Sequence, residues 1–327
     1  MDDPTRARFP DVPAEAGHYE SFYLRAAHPS EALGIWIRYT VHKRPGSEPR
    51  GSLWFTLFDA KADGPWATKL TAPGPRLPAN DDFIEISGAT FGPDAVAGSA
   101  GDASWDLHYT GDAEPLLHLP RDWMYRGGFP RTKTLSPTPA ALYSGTVRVG
   151  ERTIELDRWP GMVGHNWGTE HAERWVWMHG IGFEGKREDT WIDAAVGRVR
   201  VGRFTTPWMG NGGIAIDGKR YRLGGIEKTR GIKVTERPTR CDFQIPGQGI
   251  TVRGTVGSDA KNFVGWVYVD PAGPEHNTVN CSISDMELTV SRNGEPDLVL
   301  ATHAGASYEL GMRETDHGIP LQPFGDG

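Results

Sequence analysis

Apolar and polar residues alternate with a period of two along most of this 327-residue chain. Successive side chains of a β-strand point to opposite faces, so the pattern predicts strands that are buried on one side. Linkers rich in Pro, Gly and Ser separate the alternating segments, as expected where strands end. In the first half the predicted strands are residues 22–25, 33–41, 53–58, 83–86, 104–109, 141–149 and 153–156.

The second half of the chain repeats this pattern. Its predicted strands are residues 174–183, 190–201, 219–223, 231–236, 240–245, 250–256, 263–269, 277–290 and 298–310. No amphipathic helix longer than two turns is visible. Regularly spaced strands with short turns predict an all-β protein made of two antiparallel barrels or sandwiches packed against each other. We place the two domains at residues 1–171 and 172–327.

Two segments depart from the alternation. Residues 114–139 hold five prolines among Trp123, Met124 and Tyr125, which predicts a long irregular loop across a barrel end. Loops of this length are commonly functional. The glycine-rich run 210–213 predicts a hairpin or a bulge, because no helix follows it as a phosphate-binding loop would require.

Composition and charge narrow the classes of function. Aromatic residues make up 10% of the chain, and its formal charge of −7 argues against non-specific nucleic-acid binding. Residues 1–13 lack the apolar core of a secretory signal, and no segment has the roughly 18 apolar residues of a membrane span. We therefore expect a cytoplasmic protein in which Cys241 and Cys281 are buried and reduced.

Imidazole and indole groups are concentrated in residues 161–210, which hold three of the histidines and five of the twelve tryptophans. Residues two apart in a strand share a face. Three groups are brought together in this way: His165 with Trp167; Trp175 with Trp177 and His179; and Trp191 with Asp193. We expect them to face a common barrel interior.

The motif GHNWG at residues 164–168, followed by an aromatic strand and by WID at 191–193, resembles the carotenoid 1,2-hydratase (hydroxyneurosporene synthase) family. Tocopherol cyclase and the lipocalin-like Diels–Alderases of polyketide pathways are more distant relatives. The resemblance implies two lipocalin-like domains enclosing an apolar pocket near their junction, and cofactor-free addition of water to an isoprenoid double bond. By position, Asp193 matches the family's proton-donating aspartate, and His165 and Trp167 match its neighbouring site residues. The family generally has tyrosine where this chain has Trp191.

The residue types themselves suit acid-initiated chemistry. Burial among indole rings disfavours a carboxylate anion and raises its pKa, which would keep Asp193 neutral as a proton donor. Indole faces stabilise a carbocation by roughly 0.5–2 kcal/mol each, and His165 would orient water or accept the released proton. The expected substrate-binding residues are Trp167, Trp175, Trp177, Trp191, Trp208 and His179.

These residues favour a cofactor-independent enzyme that hydrates, cyclises or isomerises a hydrophobic isoprenoid-like or polyketide-like substrate. The alternatives are a non-catalytic carrier of a hydrophobic ligand and a pericyclase that only folds a reactive polyene. The expected partner is a hydrophobic small molecule, with transient membrane contact for substrate pickup.

Structural explanations compete for several of the same residues. Asp193 could pair with Arg198 or Arg200, and residues 170–173 are typical of a solvated turn. The spacing of the three histidines in residues 161–210 matches no compact ligand motif, so we expect no metal.

Overall fold

The computed structural model describes residues 5–78 and 82–325, and it confirms an almost entirely antiparallel β-protein. The first sheet begins at residue 18 and ends at residue 168. Its strands are β1 (His18–Ala27), β2 (Leu33–Lys43), β3 (Arg50–Asp59), β4 (Trp66–Pro73), β5 (Ile84–Ile86), β6 (Ala89–Phe91), β7 (Ala95–Ala100), β8 (Ala103–Thr110), β9 (Leu116–Leu117), β10 (Thr132–Val149) and β11 (Arg152–Gly168). The spatial order is β4-β3-β2-β1-β11-β10-β8-β7-β6-β5, with β9 added beside β10.

The second sheet uses the remaining long strands. These are β12 (Arg174–Ile181), β13 (Trp191–Arg198), β16 (Met209–Ile216), β17 (Lys219–Gly224), β18 (Lys233–Arg237), β19 (Arg240–Pro246), β20 (Ile250–Gly257), β21 (Val264–Val269), β22 (Glu275–Arg292) and β23 (Leu298–Met312). The order is β17-β16-β13-β12-β23-β22-β20-β19-β18, with β21 beside β22. A separate hairpin consists of β14 (Arg200–Val201) and β15 (Phe204–Thr205).

Helical structure is confined to short pieces. The α-helix α1 covers Trp123–Arg126, and single 3₁₀ segments cover Phe9–Asp11, Ile226–Gly231 and Ala260–Asn262. No helix in the described ranges has the length and hydropathy to cross a bilayer.

Both sheets curl until their edges meet. An isolated bridge pairs Arg76 with Glu85 at the edges of the first sheet, and another pairs Leu223 with Gly247 in the second. The expected architecture of two packed barrel-like sheets is therefore confirmed. The division at residues 171 and 172 falls between β11 and β12, and as a domain boundary it stays a prediction.

The two sheets share a hydrophobic interface as well as having their own cores. Trp54 of β3 has no exposed surface, and its ring meets that of Trp266 on β21 with centroids 5.0 Å apart. Arg25 of β1 is also fully buried, and it donates to the Ser282 carbonyl at 2.7 Å and the Gly305 carbonyl at 3.1 Å. These contacts hold the first sheet against β22 and β23.

Two irregular segments were mispredicted. Residues 132–139 belong to β10 and are not loop, because Pro137 and Pro139 lie where the pairing register with β11 shifts. A ladder that is already interrupted does not need the N–H that proline lacks. The run 210–213 lies inside β16: a Cβ on Gly212 would come within 2.3 Å of the Asp193 carbonyl, so glycine allows the close approach to β13.

The two cysteines behave as expected. Cys241 and Cys281 are both buried and unpaired.

Candidate functional site

An apolar cavity of about 210 Å³ lies between the two sheets. Tyr23 and Arg38 line it from the first sheet, and Trp175 and Trp177 line it from the second. The chain segment between β9 and β10 also contributes to the wall, through side chains that include His118, Met124 and Phe129. The cavity therefore belongs to the junction of the sheets and not to the interior of either one.

Strands β12 and β13 turn one face towards this junction. Their register pairs His179 with Asp193, so the predicted grouping of tryptophans, histidine and aspartate on a shared face is correct. The opposite face, with Val176 and Ile192, packs into the core of the second sheet. The shared face meets the first sheet instead: the Trp177 ring lies edge-on to Tyr23 with centroids 5.5 Å apart. The expectation of a barrel interior is therefore wrong.

Asp193 has no exposed surface and is held by side-chain donors. Trp177 donates its indole N–H to Oδ1 at 3.0 Å. Ser136 of β10 donates its hydroxyl to Oδ2, and the His118 Nε2 lies 3.3 Å from the same oxygen. The structural alternative of pairing with Arg198 or Arg200 is absent from these contacts.

The surroundings of Asp193 favour its ionised form. Burial by itself raises the pKa of this carboxyl. The charge of His118 and its hydrogen bond, with further contributions from His179 and Ser136, outweigh burial and hold the pKa of Asp193 below its ordinary value. The expected raised pKa is therefore wrong, because imidazoles and a hydroxyl surround the carboxylate in addition to indole.

His118 lines the cavity, as His171 also does, and it was not among the residues predicted from the sequence. Its side chain is 1% exposed and lines the cavity wall, while its backbone carbonyl accepts from Arg222 at 2.8 Å. The ring Nδ1 has no hydrogen-bond partner. The only signal in the sequence was a histidine within a short apolar run, Leu116 to Leu119, inside the proline-rich segment.

His165 and Trp167 share a face of β11, as predicted, but that face points into the first sheet. The His165 ring stacks on Phe22 with centroids 4.1 Å apart and on Trp167 at 4.6 Å. Its Nε2 lies 2.7 Å from Glu20, and neither side chain has exposed surface. The residue between them, Asn166, lines the cavity instead.

The remaining predicted ligand contacts lie around the cavity without lining it. His179 donates its Nε2–H to the Pro139 carbonyl at 2.9 Å, and Trp191 packs with Leu116 under the Arg220 guanidinium. Trp208 packs against the core of the second sheet. Of the predicted tryptophans, Trp175 and Trp177 line the cavity.

Tyr23 supplies a phenol to the cavity from β1. Burial, reinforced by the charge of Asp193, raises its pKa well above the ordinary value, so the hydroxyl stays protonated at neutral pH. The family that the motif resembles generally has tyrosine where this chain has Trp191. A phenol nevertheless reaches the cavity, because Tyr23 of β1 lies beside Trp177.

The far end of the cavity is polar. Glu309 accepts from the Trp175 indole at 2.9 Å and from the Tyr268 hydroxyl at 3.1 Å. Nearby, the Asp270 carboxylate lies 2.6 Å from the His171 ring and 3.2 Å from the His276 ring.

These three residues, His171, Asp270 and His276, each bring one ligand atom to within 4.8 Å of the others. Asp270 bonds one nitrogen of each imidazole, whereas His171 Nε2 and His276 Nδ1 have no hydrogen-bond partner. The side chain of His171 is 8% exposed, so the predicted solvated turn at residues 170–173 is wrong at that position.

Comparison with known proteins finds relatives by sequence. Two uncharacterized proteins of Mycobacterium tuberculosis, MT0513 of strain CDC 1551 and Rv0493c of strain H37Rv, are each 28% identical over 320 residues, covering 96% of this chain and 93% of theirs. No family model matches the chain.

Similar solved structures extend over nearly the whole chain. The complex of CghA with Sch210972 has a TM-score of 0.61 at 11% identity, covering 95% of this chain and 96% of CghA. Kievitone hydratase from Nectria haematococca has a TM-score of 0.51 at 11% identity, covering 93% of this chain and 91% of the hydratase. At these identities the likeness shows a shared fold.

Proposed function

We propose that this protein is a cofactor-independent enzyme that transfers a proton to a hydrophobic, unsaturated substrate and so hydrates, cyclises or isomerises it. The observation that carries this proposal is His118, a buried imidazole that lines the apolar cavity, has no hydrogen-bond partner at Nδ1 and has the Asp193 carboxylate beside its Nε2. The cavity would take the apolar part of the substrate, as small-molecule sites commonly do.

Protonated His118 is the proton donor in this proposal, and Asp193 is the anion that stabilises the imidazolium. An Nδ1–H would face the substrate while the Nε2–H bonds Asp193, an arrangement that fixes the tautomer and the ring orientation. Asp193 therefore acts through His118. This reverses the role inferred from sequence, in which Asp193 itself donates the proton.

The cavity also suits the cation that protonation creates. The rings of Tyr23, Trp175 and Trp177 line it, and an aromatic face attracts a cation by roughly 0.5–2 kcal/mol. The same His118, once deprotonated, can remove a proton from the cation or from an attacking water. Kievitone hydratase shares this fold, which supports hydration as one outcome.

Turnover in D₂O tests the proposal. We would incubate the protein with kievitone or with geranic acid, an unsaturated isoprenoid acid, and follow the products by mass spectrometry. Acid-initiated hydration adds the mass of heavy water, and isomerisation or cyclisation exchanges or adds a carbon-bound deuteron. A pericyclase would give an isomer without deuterium, and a carrier would return its ligand unchanged.

The matched variants are His118→Asn and His179→Gln. Both histidines are buried near Asp193, but only His118 lines the cavity. We expect His118→Asn to lower turnover by roughly 10²–10⁴-fold, whereas His179→Gln retains most of it. Full activity in folded His118→Asn would exclude His118 as the acid.

The composition of the surface around the cavity mouth supports substrate pickup from a membrane. Three segments reach it, residues 121–131, 199–204 and 226–233, and together they carry eight Lys and Arg against two Asp and Glu. They also hold five of the eight exposed large hydrophobic side chains in the described ranges: Trp123, Phe129, Val201, Phe204 and Ile226. Basic charge beside exposed apolar rings is typical of contact with anionic lipid.

Vesicle co-sedimentation tests this contact. We expect binding to vesicles of mixed phosphatidylglycerol and phosphatidylcholine, weakened by salt and by Phe204→Ser. Equal sedimentation without anionic lipid would contradict it. A cytoplasmic location stays a prediction.

A further inference from the structure

Arg38 of β2 is a buried cation at the cavity wall. The residue is 6% exposed and lines the cavity. Its guanidinium lies 4.2 Å from the ring centroid of Tyr268 and 5.7 Å from that of Trp54. Its Nε has no hydrogen-bond partner, and no carboxylate in residues 5–78 and 82–325 forms an ion pair with it.

Two acidic residues near Arg38, Glu309 and Asp270, accept hydrogen bonds from other side chains. Glu309 accepts from Trp175 and Tyr268, and also from the Asn280 amide at 3.2 Å. Asp270 is taken by His171 and His276. Both carboxylates therefore have their hydrogen bonds without Arg38.

A buried guanidinium normally has partners for its N–H groups, because desolvating an unpaired charge is costly. Arg25, the fully buried arginine of the first sheet, has an unpartnered Nε too, but it donates to two backbone carbonyls of the second sheet. Arg38 has aromatic faces instead, and cation–π attraction offsets only part of the desolvation. The unpartnered Nε therefore leaves this guanidinium short of hydrogen bonds at the wall where a ligand would lie.

We propose that Arg38 binds an anionic group of the substrate, a carboxylate or an acidic enol, while the apolar remainder extends along the cavity towards His118. A planar guanidinium suits such a group because it can donate two parallel N–H bonds. This inference rests on the proposed function in placing the ligand in the same cavity. It adds the substrate class: a lipophilic acid and not a neutral hydrocarbon.

Binding of decanoate and decan-1-ol, followed by tryptophan fluorescence and calorimetry, tests the inference without turnover. These probes share an apolar chain and differ in charge. We expect the wild-type protein to bind decanoate roughly 10-fold to 100-fold more tightly than decan-1-ol, as expected for hydrogen bonds to a charged group. In Arg38→Gln the two affinities become similar, and the affinity for the alcohol changes by less than about threefold.

The matched control is Arg198→Gln. Arg198 also lies over an indole, that of Trp208, at 5.9 Å, but it does not line the cavity. We expect it to keep the preference for decanoate. Arg38→Lys retains the positive charge but loses the planar guanidinium, so it should keep part of the preference for decanoate. It is a more conservative change, so it shows whether the result with Arg38→Gln comes from a folding defect.

Two results would overturn the inference: equal binding of acid and alcohol by the wild type, or an acid preference that survives Arg38→Gln. In either case binding of decan-1-ol and deuterium incorporation by His118 would leave the proposed function standing. If neither probe binds and no product forms, the proposed function fails as well.

Discussion

Two buried histidine–carboxylate pairs in this protein have similar chemistry and different surroundings. Glu20 and His165 lie 2.7 Å apart inside the first sheet, and Asp193 and His118 lie 3.3 Å apart at the junction of the sheets. Glu20 also accepts from the backbone amides of Arg8 and Phe9 and lies near His18. These contacts leave it no access to the cavity.

The Asp193 pair differs because its histidine lines the cavity. His118 is a wall residue with no hydrogen-bond partner at Nδ1, whereas the unpartnered Nδ1 of His165 belongs to a ring enclosed by Phe22 and Trp167. The same pairing thus stabilises the fold in one place and equips a site in the other. The two pairs have the same kinds of residue, so residue type alone does not distinguish them. Their position relative to the cavity does.

Paired substitutions would break this comparison most strongly. Asp193→Asn removes the anion behind His118, and we expect turnover to fall by roughly 10²–10⁴-fold. Glu20→Gln places an amide donor against backbone N–H groups and should lower the free energy of unfolding by about 3–5 kcal/mol. Turnover per folded Glu20→Gln molecule should remain near the wild-type value. Urea unfolding and the deuterium assay measure the two effects separately.

A surface pair provides the control. Asp285 and His303 lie 2.7 Å apart but are 62% and 75% exposed, so Asp285→Asn should change stability and turnover little. Loss of turnover in folded Glu20→Gln, or full turnover in Asp193→Asn, would contradict the division between the two pairs.

The pH dependence of stability gives a smaller and graded test. Burial, with the nearby charge of Arg25, lowers the pKa of His179 from 6.5 to about 4. Despite burial, bonds from His165 and His18 lower the pKa of Glu20 from 4.5 to about 2. In each case the unfolded chain takes up a proton at a higher pH than the folded protein. Stability present at neutral pH is therefore lost on acidification.

The two groups act in different pH windows. Protonation of His179 should lower the free energy of unfolding by on the order of 3 kcal/mol between pH 6.5 and 4. Protonation of Glu20 should lower it further below pH 4.5. Urea unfolding from pH 7 to 4 should show a shallower slope in His179→Gln. An unchanged slope would show that folding does not lower the pKa of His179.

Much of the architecture was readable from local alternation. The aromatic strand at residues 174–181 and the strand carrying Asp193 were both predicted, and their side chains share faces as expected. The lengths of β10 and β22 were harder to read, because bulges let one strand continue past prolines or irregular pairing. A regular alternation of apolar and polar residues predicts a strand. A β-bulge interrupts the alternation, so the sequence does not show that the strand continues.

The site was predicted less completely than the fold. Trp175, Trp177 and Asp193 were identified as candidates, and the structure brings them to the cavity region. His118 and Ser136 come from a proline-rich segment and the start of β10, where no periodic pattern marks a functional side chain. Arg38 and Tyr23 lie in strands whose alternation predicts that a side chain is buried, but it does not predict which other residues that side chain contacts.

Local sequence decided which residues share a face, because side chains alternate strictly along an extended backbone. It could not decide which face is enclosed by its own sheet and which meets the other sheet. That choice depends on contacts between residues more than 100 positions apart, such as Arg25 with the carbonyls of β22 and β23. Docking of the two sheets therefore made Asp193 the neighbour of a cavity and placed His165 in a core.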